Sequence, residues 1–348
     1  MIIKEALIPS EKKRITAFLQ EFGLKYERQI DSTLYIEFDG EIVATVSTCK
    51  YIIKCLAVNL DYRSENLAGV LVSEVIKRFH EEDIFYYQVF TKPEYCNVFI
   101  SLGFRPLIQT DKVTVLEGGD GDIHETIQAM KVQMKYSLGA DSVERGCDIG
   151  CVVINGNPFT NGHVKLVEYA AAKHKYVLVF VLEEEGSYFT FKERYTMAYL
   201  ALKPYSNVLV IPSSKYIISK ATFPGYFLKT VDRTTREYAL YDALIFLEYF
   251  MPLLNIKKRY VGEEVKRYMR IYNQTLGMVL GDKIEVVERF KEDDEVISAS
   301  KFRELIKEGK RDEAFQLIPR TNYAVMSGIL SGNNGRFRKN TCRPRSKK

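Results

Sequence analysis

GCVVINGNPFTNGHVKLVEYA, residues Gly150 to Ala170, is written as a strand, a turn and a helix in succession. It opens on an apolar run, Cys151–Ile154, bounded by Gly150 before it and by Asn155-Gly156 after it. A short continuous apolar run closed off by turn formers predicts a strand buried on both faces, as in a parallel sheet. Asn155, Gly156, Asn157 and Pro158 supply a turn. Thr160-Asn161-Gly162-His163 then leads into Val164–Ala172, where Val164, Val167 and Ala171 recur at helical spacing. A strand, a tight turn and a helix start make an anion site in outline, because free backbone N–H groups and the helix dipole converge there. Gly162 permits close approach of a ligand or a second backbone. His163 falls in the first helical turn, with its imidazole directed at the same anion.

Downstream of this stretch, strands and helices alternate. Val177–Leu182, Val208–Pro212, Lys258–Val261 and Ile284–Glu288 read as strands. Phe191–Leu202, Tyr238–Tyr249, Glu264–Val279, Ser300–Glu308 and Arg311–Leu317 read as helices. Repeated β–α alternation predicts a doubly wound parallel sheet, Rossmann-like, with its ligand at the carboxyl ends of the strands. Gly150–Ala170 is then the first β–α turn.

The first half has a different rhythm. A helix over Glu11–Phe22 is followed by strands at Thr33–Phe38, Glu41–Cys49 and Lys50–Val58, with Asp39-Gly40 as a two-residue hairpin turn. Leu67–Phe79 reads as a helix, Asp83–Phe90 as a strand, Glu94–Leu102 as a helix, and a further strand starts at Gly103. This order suggests an α+β domain around a mixed sheet. Ile123–Leu138 is one more helix, and the polar, turn-prone Gly139–Gly146 marks the boundary. The expected organisation is an N-terminal domain over residues 1–140, a second domain over 147–330 and a basic, disordered tail over 331–348.

Composition narrows the class. At 348 residues with 46% hydrophobic residues, the chain fits two globular domains. Four histidines without zinc-motif spacing argue against a structural metal site, and six cysteines without repeated C-x-x-C spacing read as reduced core thiols of a cytoplasmic protein. The net charge of +5 is concentrated: seven basic residues lie between Arg336 and Lys348, and subtracting them leaves −2 for the remainder. A near-neutral body whose basic tail carries no aromatic platform argues against a nucleic-acid partner. No apolar run approaches membrane-spanning length, and the N-terminus lacks a secretory pattern.

Three resemblances attach to these residues. Val58-x-x-x-Tyr62-Arg63-Ser64-Glu65-Asn66-Leu67-Ala68 resembles the strand–turn–helix signature of the GNAT acetyltransferases, R/Q-x-x-G-x-G/A, with Asn66 at the first glycine. It implies a GNAT-like N-terminal fold and a pantetheine-type site at Arg63, Asn66 and Ala68, on a scaffold that does not itself catalyse acetyl transfer. Thr160-x-Gly162-His163 resembles the H-x-G-H motif of the nucleotidylyltransferase superfamily, and Ile297-Ser298-Ala299-Ser300-Lys301-Phe302-Arg303 resembles its I-S-x-S/T-x-x-R signature. Together they imply an ATP site in which Thr160 and His163 hold the α-phosphate. Ser298 and Ser300 cap a helix and offer hydroxyls, and Arg303 neutralises the leaving pyrophosphate. Glu183-Glu184-Glu185 stands where many such enzymes carry a basic residue, for which Lys192 is a substitute.

Asn157-Pro158-Phe159-Thr160, Phe191-x-x-x-Tyr195 with Arg194, Tyr216–Phe227, Tyr260-Val261-Gly262-x-Glu264 and Arg270-x-Tyr272-Asn273 resemble the citrate lyase ligase family over roughly residues 1–330. That likeness implies activation of acetate by ATP, with Mg²⁺ on the triphosphate. Acetyl-adenylate forms, pyrophosphate leaves, and the acetyl group passes to the prosthetic-group thiol on the acyl-carrier subunit of citrate lyase. Asn157, Gly162, Gly262 and Arg270 are then further nucleotide contacts, Arg270 as a buried cation; Lys220, Thr222 and Tyr226 face the acyl or thiol side. Two other readings stay open at this point: an adenylyltransferase acting on a phosphopantetheine-like or mononucleotide acceptor, and a pantetheine-binding scaffold with a vestigial GNAT domain.

Overall fold

The computed structural model describes residues 1–332 except 28, 184–187, 218–222, 224–225, 227, 229, 265, 289–290 and 293–294. The chain divides into two compact units. One comprises Met1–Thr126 with Phe223–Ile245, the other Ile127–Thr222 with Phe246–Lys348. This division falls before Gly139–Gly146, and it assigns the segment from Phe223 to the first unit, which the residue pattern did not foreshadow.

The first unit contains β1 (Ile3–Glu5), α1 (Pro9–Glu21), β2 (Ser32–Phe38), β3 (Glu41–Cys49), β4 (Ile52–Val58), α2 (Leu67–Glu81), β5 (Tyr86–Thr91), α3 (Cys96–Ser101), β6 (Arg105–Gln109) and β7 (Thr114–Gly119). These strands form one mixed sheet in the order β1-β2-β3-β4-β5-β7-β6. Asp39 and Gly40 both have positive φ, 49° and 84°, the geometry of a tight turn that matches strand twist between β2 and β3. On one face, Leu67, Leu71, Val75 and Phe79 of α2 pack on Ile36, Val46, Ile53 and Val89. The other face buries Tyr35, Cys55 and Ala57 with Ile15, Phe18 and Leu19 of α1. β4 and β5 run parallel but pair only at Ile52–Gln88 and Ile53–Val89. The strands β1 and β7 were not expected: β1 is three residues long, and β7 ends on Gly118-Gly119, a pair that reads as a turn.

α4 (Ile123–Leu138) crosses the division between the units. The second unit continues with β8 (Ile149–Ile154), α5 (Asn161–Ala171), β9 (Tyr176–Val181), α6 (Phe191–Leu202) and β10 (Val208–Pro212). α7 (Val231–Ile245) belongs to the first unit and runs into a π-helical turn, Phe246–Phe250, and the short α8 (Met251–Leu253). Then come β11 (Ile256–Gly262), α9 (Arg267–Leu280), β12 (Ile284–Val287), the two-residue strands β13 (Lys291–Glu292) and β14 (Glu295–Val296), α10 (Ala299–Lys307), α11 (Arg311–Gln316) and α12 (Tyr323–Gly332).

The expected parallel sheet is present, in the order β10-β9-β8-β11-β12, with every neighbouring pair parallel. Val152, Ile154, Val177, Val179 and Val181 face Leu166, Val167 and Ala170 of α5 and Met197 and Ala198 of α6. Phe180 packs edge-on against Phe246 and Phe250. Cover on both faces is why these strands are continuously apolar. The chain starts at the central β8, builds outward to β10, then returns to β11. The strand order therefore reverses between β8 and β11, and ligands of such sheets bind beyond the carboxyl ends at that reversal. α10 is fixed to the same core by Phe302, 0% exposed, whose burial contributes about 2–3 kcal/mol.

Candidate active site

Beyond Ile154 the chain turns through Asn155, Gly156 (φ 61°), Asn157 and a cis-linked Pro158. Phe159 is fully buried and its ring stacks on the imidazole of His163, 5.2 Å between centroids. Thr160 is the extended residue before α5. Its backbone N–H donates to Nδ1 of His163 at 2.9 Å, and its hydroxyl lies at the same distance from that nitrogen. A ring nitrogen that accepts carries no proton, so the neutral ring holds its proton on Nε2. Burial lowers the imidazole pKa to about 4, which keeps the ring neutral at pH 7. His163 is thus a fixed neutral N–H donor at the start of a helix, on the ligand end of the sheet.

Thr160 itself differs from the sequence expectation. Its side chain is 1% exposed and turned to His163, so it orients the imidazole rather than presenting a hydroxyl to a phosphate. Asn161 ties the first turn of α5 down: its N–H donates to Leu317 O and its Nδ2 to Gln316 O, both at 2.9 Å.

The structure brings the second motif against the first. A Cβ on Gly162 would stand 3.2 Å from the carbonyl oxygen of Ile297, so a glycine is needed for this approach. Ser298 caps α10, its Oγ accepting from Lys301 N–H at 3.1 Å. Arg303 donates through Nη2 to Ser300 Oγ at 3.2 Å and through Nη1 to the carbonyl oxygen of Asn157. The Arg303 guanidinium is partly desolvated, which pulls its pKa down without threatening its charge. Asn157 is held a second time: its Oδ1 accepts from Phe189 N–H at 3.1 Å. Asn157, Thr160, Gly162, His163, Ser298, Ser300 and Arg303 therefore form one neighbourhood.

Other expected site residues stand differently. Gly262 ends β11, at the strand-order reversal, and its carbonyl accepts from Asn273 Nδ2 at 3.1 Å. Arg270 is exposed on α9, contrary to its reading as a buried cation, because it faces away from the apolar side occupied by Tyr272 and Leu276. Arg259 of β11 is buried instead, stacked on Phe246 at 4.3 Å and donating to Tyr272 Oη at 2.9 Å. Lys220 and Thr222 lie outside the described residues, as do Glu184 and Glu185. Tyr226 is buried in the first unit, its hydroxyl donating to Phe90 O at 2.6 Å, among Ile15, Phe18 and Cys55. An aromatic ring with one polar end fits such a buried slot, and burial drives its pKa well above the ordinary tyrosine value. Lys192 is exposed in the first turn of α6.

In the first unit, Arg63 lies in the 3₁₀ turn Leu60–Glu65, and Asn66 precedes α2 in the left-handed conformation (φ 53°). The Asn66 side chain occupies the space beside Gly69, where a Cβ would come 2.6 Å from Asn66 Oδ1. Ala68 is in the first turn of α2. No disulfide joins the five described cysteines, and burial pushes the Cys55 thiol up to about 12, an unreactive state. Among the described residues no group of three or more His, Cys, Asp or Glu side chains could hold a metal ion, and no helix is long and apolar enough to cross a membrane.

Sequence reasoning missed the Phe159–His163 stack, the Asn161 anchor and the buried Arg194, whose Nη1 donates to Asn155 O at 2.7 Å. A signal for the start of α6 was available in Thr190-x-x-Glu193, the pattern of a capping box, and the box forms: Thr190 N–H donates to Glu193 Oε2 at 2.8 Å.

Known proteins resemble this chain over most of its length. Residues 149–326 match the family model described as citrate lyase ligase C-terminal domain. The chain is 31% identical over 337 residues to the [citrate [pro-3S]-lyase] ligase of Escherichia coli (strain K12), covering 92% of each. It is 30% identical over 331 residues to the protein of the same name from Klebsiella pneumoniae, covering 92% of this chain and 94% of that one. Among solved structures, a GNAT-family acetyltransferase from Staphylococcus aureus Mu50 aligns at 16% identity and TM-score 0.29, over 34% of this chain and 99% of that one. The ribosomal-protein-S18-alanine N-acetyltransferase of Escherichia coli aligns at 11% identity and TM-score 0.28, over 35% of this chain and 96% of that one. A family model matched over half of the chain, and relatives matched over nearly all of it, make the chain a member of the citrate lyase ligase family.

Proposed function

We propose that this chain is an AMP-forming acid–thiol ligase that uses ATP and acetate to acetylate the prosthetic-group thiol on the acyl-carrier subunit of citrate lyase. One observation carries the reading: the start of α5, with its neutral His163, and the start of α10, with Arg303, meet over Asn157 at the strand-order reversal. That is where a doubly wound sheet takes a nucleotide phosphate.

In the first step a carboxylate oxygen of acetate attacks the α-phosphorus of ATP. The bond to the β-phosphate oxygen breaks, and pyrophosphate leaves. Acetate is already an anion, so no base is required. The Nε2–H of His163 donates to a non-bridging α-phosphate oxygen as its charge grows, and Arg303 neutralises the departing pyrophosphate. Thr160 fixes the imidazole tautomer, and the Ser298 cap and Ser300 hold α10 and the Arg303 fork in place. Gly262 ends β11, the strand beside β8 at the reversal, and is a further nucleotide contact in this reading. In the second step the thiol sulfur attacks the acetyl carbonyl carbon, the thiol proton is released, and AMP leaves with the oxygen that acetate contributed.

Mg²⁺ enters as the metal of the MgATP substrate. Among the described residues no group of three or more His, Cys, Asp or Glu side chains could hold it, so it arrives with the nucleotide. Arg63, Asn66 and Ala68 form the entry to α2 in the first unit, a helix start of the kind that accepts a phosphate-bearing pantetheine chain. The test is pyrophosphate release from ATP by the purified chain, with and without acetate and with and without deacetylated acyl-carrier subunit. Acetate-dependent release, together with appearance of the acetyl thioester, supports the reading. Release without a carboxylate, or none in any combination, refutes it.

A further inference from the structure

Arg194 is 0% exposed, and no larger side chain among the described residues is as fully buried. It stands in the first turn of α6, between residues of an apolar core that includes Phe189, Met197 and Ala198. Burying a guanidinium costs several kcal/mol before its partners repay it, whereas a methionine or leucine would fill a similar volume without that penalty. Packing therefore does not explain the charge, and its partners do. Nη1–H donates to Asn155 O at 2.7 Å and Nε–H to Phe189 O at 3.2 Å.

Those two carbonyls belong to different segments. Asn155 is the first residue after β8 and opens the turn that leads to Thr160 and His163. Phe189 stands just before α6, and its own N–H donates to Asn157 Oδ1 at 3.1 Å. A closed loop of hydrogen bonds results: Arg194 to Asn155, Arg194 to Phe189, and Phe189 to Asn157. Arg303 grips the same Asn157 from the side of α10. Only a guanidinium presents two donors at a fixed angle to two backbone acceptors; an ammonium on a flexible stem does not.

We infer that Arg194 is a positioning residue for the adenylate-forming step: it latches the 155–157 turn to the entry of α6, and through Asn157 it sets where Arg303 and the start of α5 meet the α-phosphate. This rests on the nucleotide reading of the site given above. Arg194 touches no reacting atom. Its effect passes through the position of the turn, and misplacement of a reacting group by about 1 Å can cost about a hundredfold in rate.

The test compares Arg194→Lys, Arg194→Met, Asn157→Ala and the double variant Arg194→Lys/Asn157→Ala in acetate-dependent pyrophosphate release, with thermal midpoints measured in parallel. Wild-type turnover in the same assay decides the functional reading separately; the ratios to wild type decide this inference. We expect kcat to fall about tenfold or more for Arg194→Lys and about a hundredfold for Arg194→Met, with KM for ATP changed by less than about threefold. Lys should thus rescue part of what Met loses. Because Arg194 and Asn157 belong to one latch, the double variant should lose no more than about threefold beyond the worse single variant. Near wild-type kcat in Arg194→Lys would overturn the inference, as would losses that multiply in the double variant or that track the thermal midpoint alone. If the Arg194 variants do not fold, Asn157→Ala still decides: a wild-type kcat there overturns the latch.

Discussion

Replacing His163 is the sharpest perturbation of the site, and two separate effects follow from its geometry. The first is on rate. His163 supplies one neutral N–H donor whose direction is set by the Thr160 N–H on Nδ1 and by the Phe159 ring against its face. Removing one preorganised donor to a developing oxyanion costs about 10²–10³ in kcat. His163→Ala should therefore lose at least two orders of magnitude in acetate-dependent pyrophosphate release. His163→Gln, which places a neutral amide donor near the Nε2 position, should fall between alanine and wild type. The second effect is on stability. The folded-state pKa of about 4 lies below the ordinary histidine value of 6.5. Between those values the unfolded chain takes up a proton that the folded chain refuses. The stability contribution is therefore complete above pH 6.5 and is lost as pH falls toward 4. The linkage integral from pH 7 to pH 5 comes to about 2 kcal/mol. Urea unfolding at the two pH values should show this loss in the wild type and lack it in His163→Gln. A rate within tenfold of wild type for His163→Ala would rule out His163 as the donor, and equal pH dependence of stability in wild type and His163→Gln would rule out its depressed pKa.

Two further expectations concern packing. Gly162→Ala brings a methyl 3.2 Å from the Ile297 carbonyl oxygen, so α5 and the start of α10 must separate by a few tenths of an ångström. We expect a stability loss of about 1–2 kcal/mol by thermal unfolding and a fall of about tenfold in kcat/KM for ATP. Tyr226→Phe removes the hydroxyl bonded to Phe90 O in the first unit. It should cost about 1–3 kcal/mol in urea unfolding and leave kcat of the folded enzyme within about twofold; a large kcat loss without destabilisation would return Tyr226 to the acyl side.

Much of the candidate site's local geometry could be read from sequence because its logic is local. A strand, a turn and a helix start are written in consecutive residues, and so are the Ser298 cap and the Arg303 that follows one turn later. The parallel sheet was legible for a related reason: β8, β9 and β10 are covered on both faces, so their sequences are unbroken apolar runs. What sequence could not supply was partnership. Nothing in Phe191-Lys192-Glu193-Arg194 says that the arginine turns inward to Asn155, 39 residues earlier. Arg270 is exposed and Arg259, to which the sequence pointed no role, is buried, because burial depends on which face of α9 and which side of β11 meet the core. The burial of Tyr226 was unreadable for the same reason: its neighbours Phe90 and Cys55 lie more than a hundred residues earlier, and the local pattern does not mark that the chain from Phe223 returns to the first unit.

In the proposed reaction a carboxylate oxygen of acetate becomes bonded to the α-phosphorus. That bond formation is tested most directly with acetate labelled in both oxygens by ¹⁸O, incubated with ATP, the chain and the deacetylated acyl-carrier subunit, followed by mass analysis of the nucleotide and of pyrophosphate. We expect one ¹⁸O in AMP, none in pyrophosphate, and the second ¹⁸O in the acetyl thioester. Unlabelled AMP alongside thioester formation, or label in pyrophosphate, would contradict attack at the α-phosphorus beside His163.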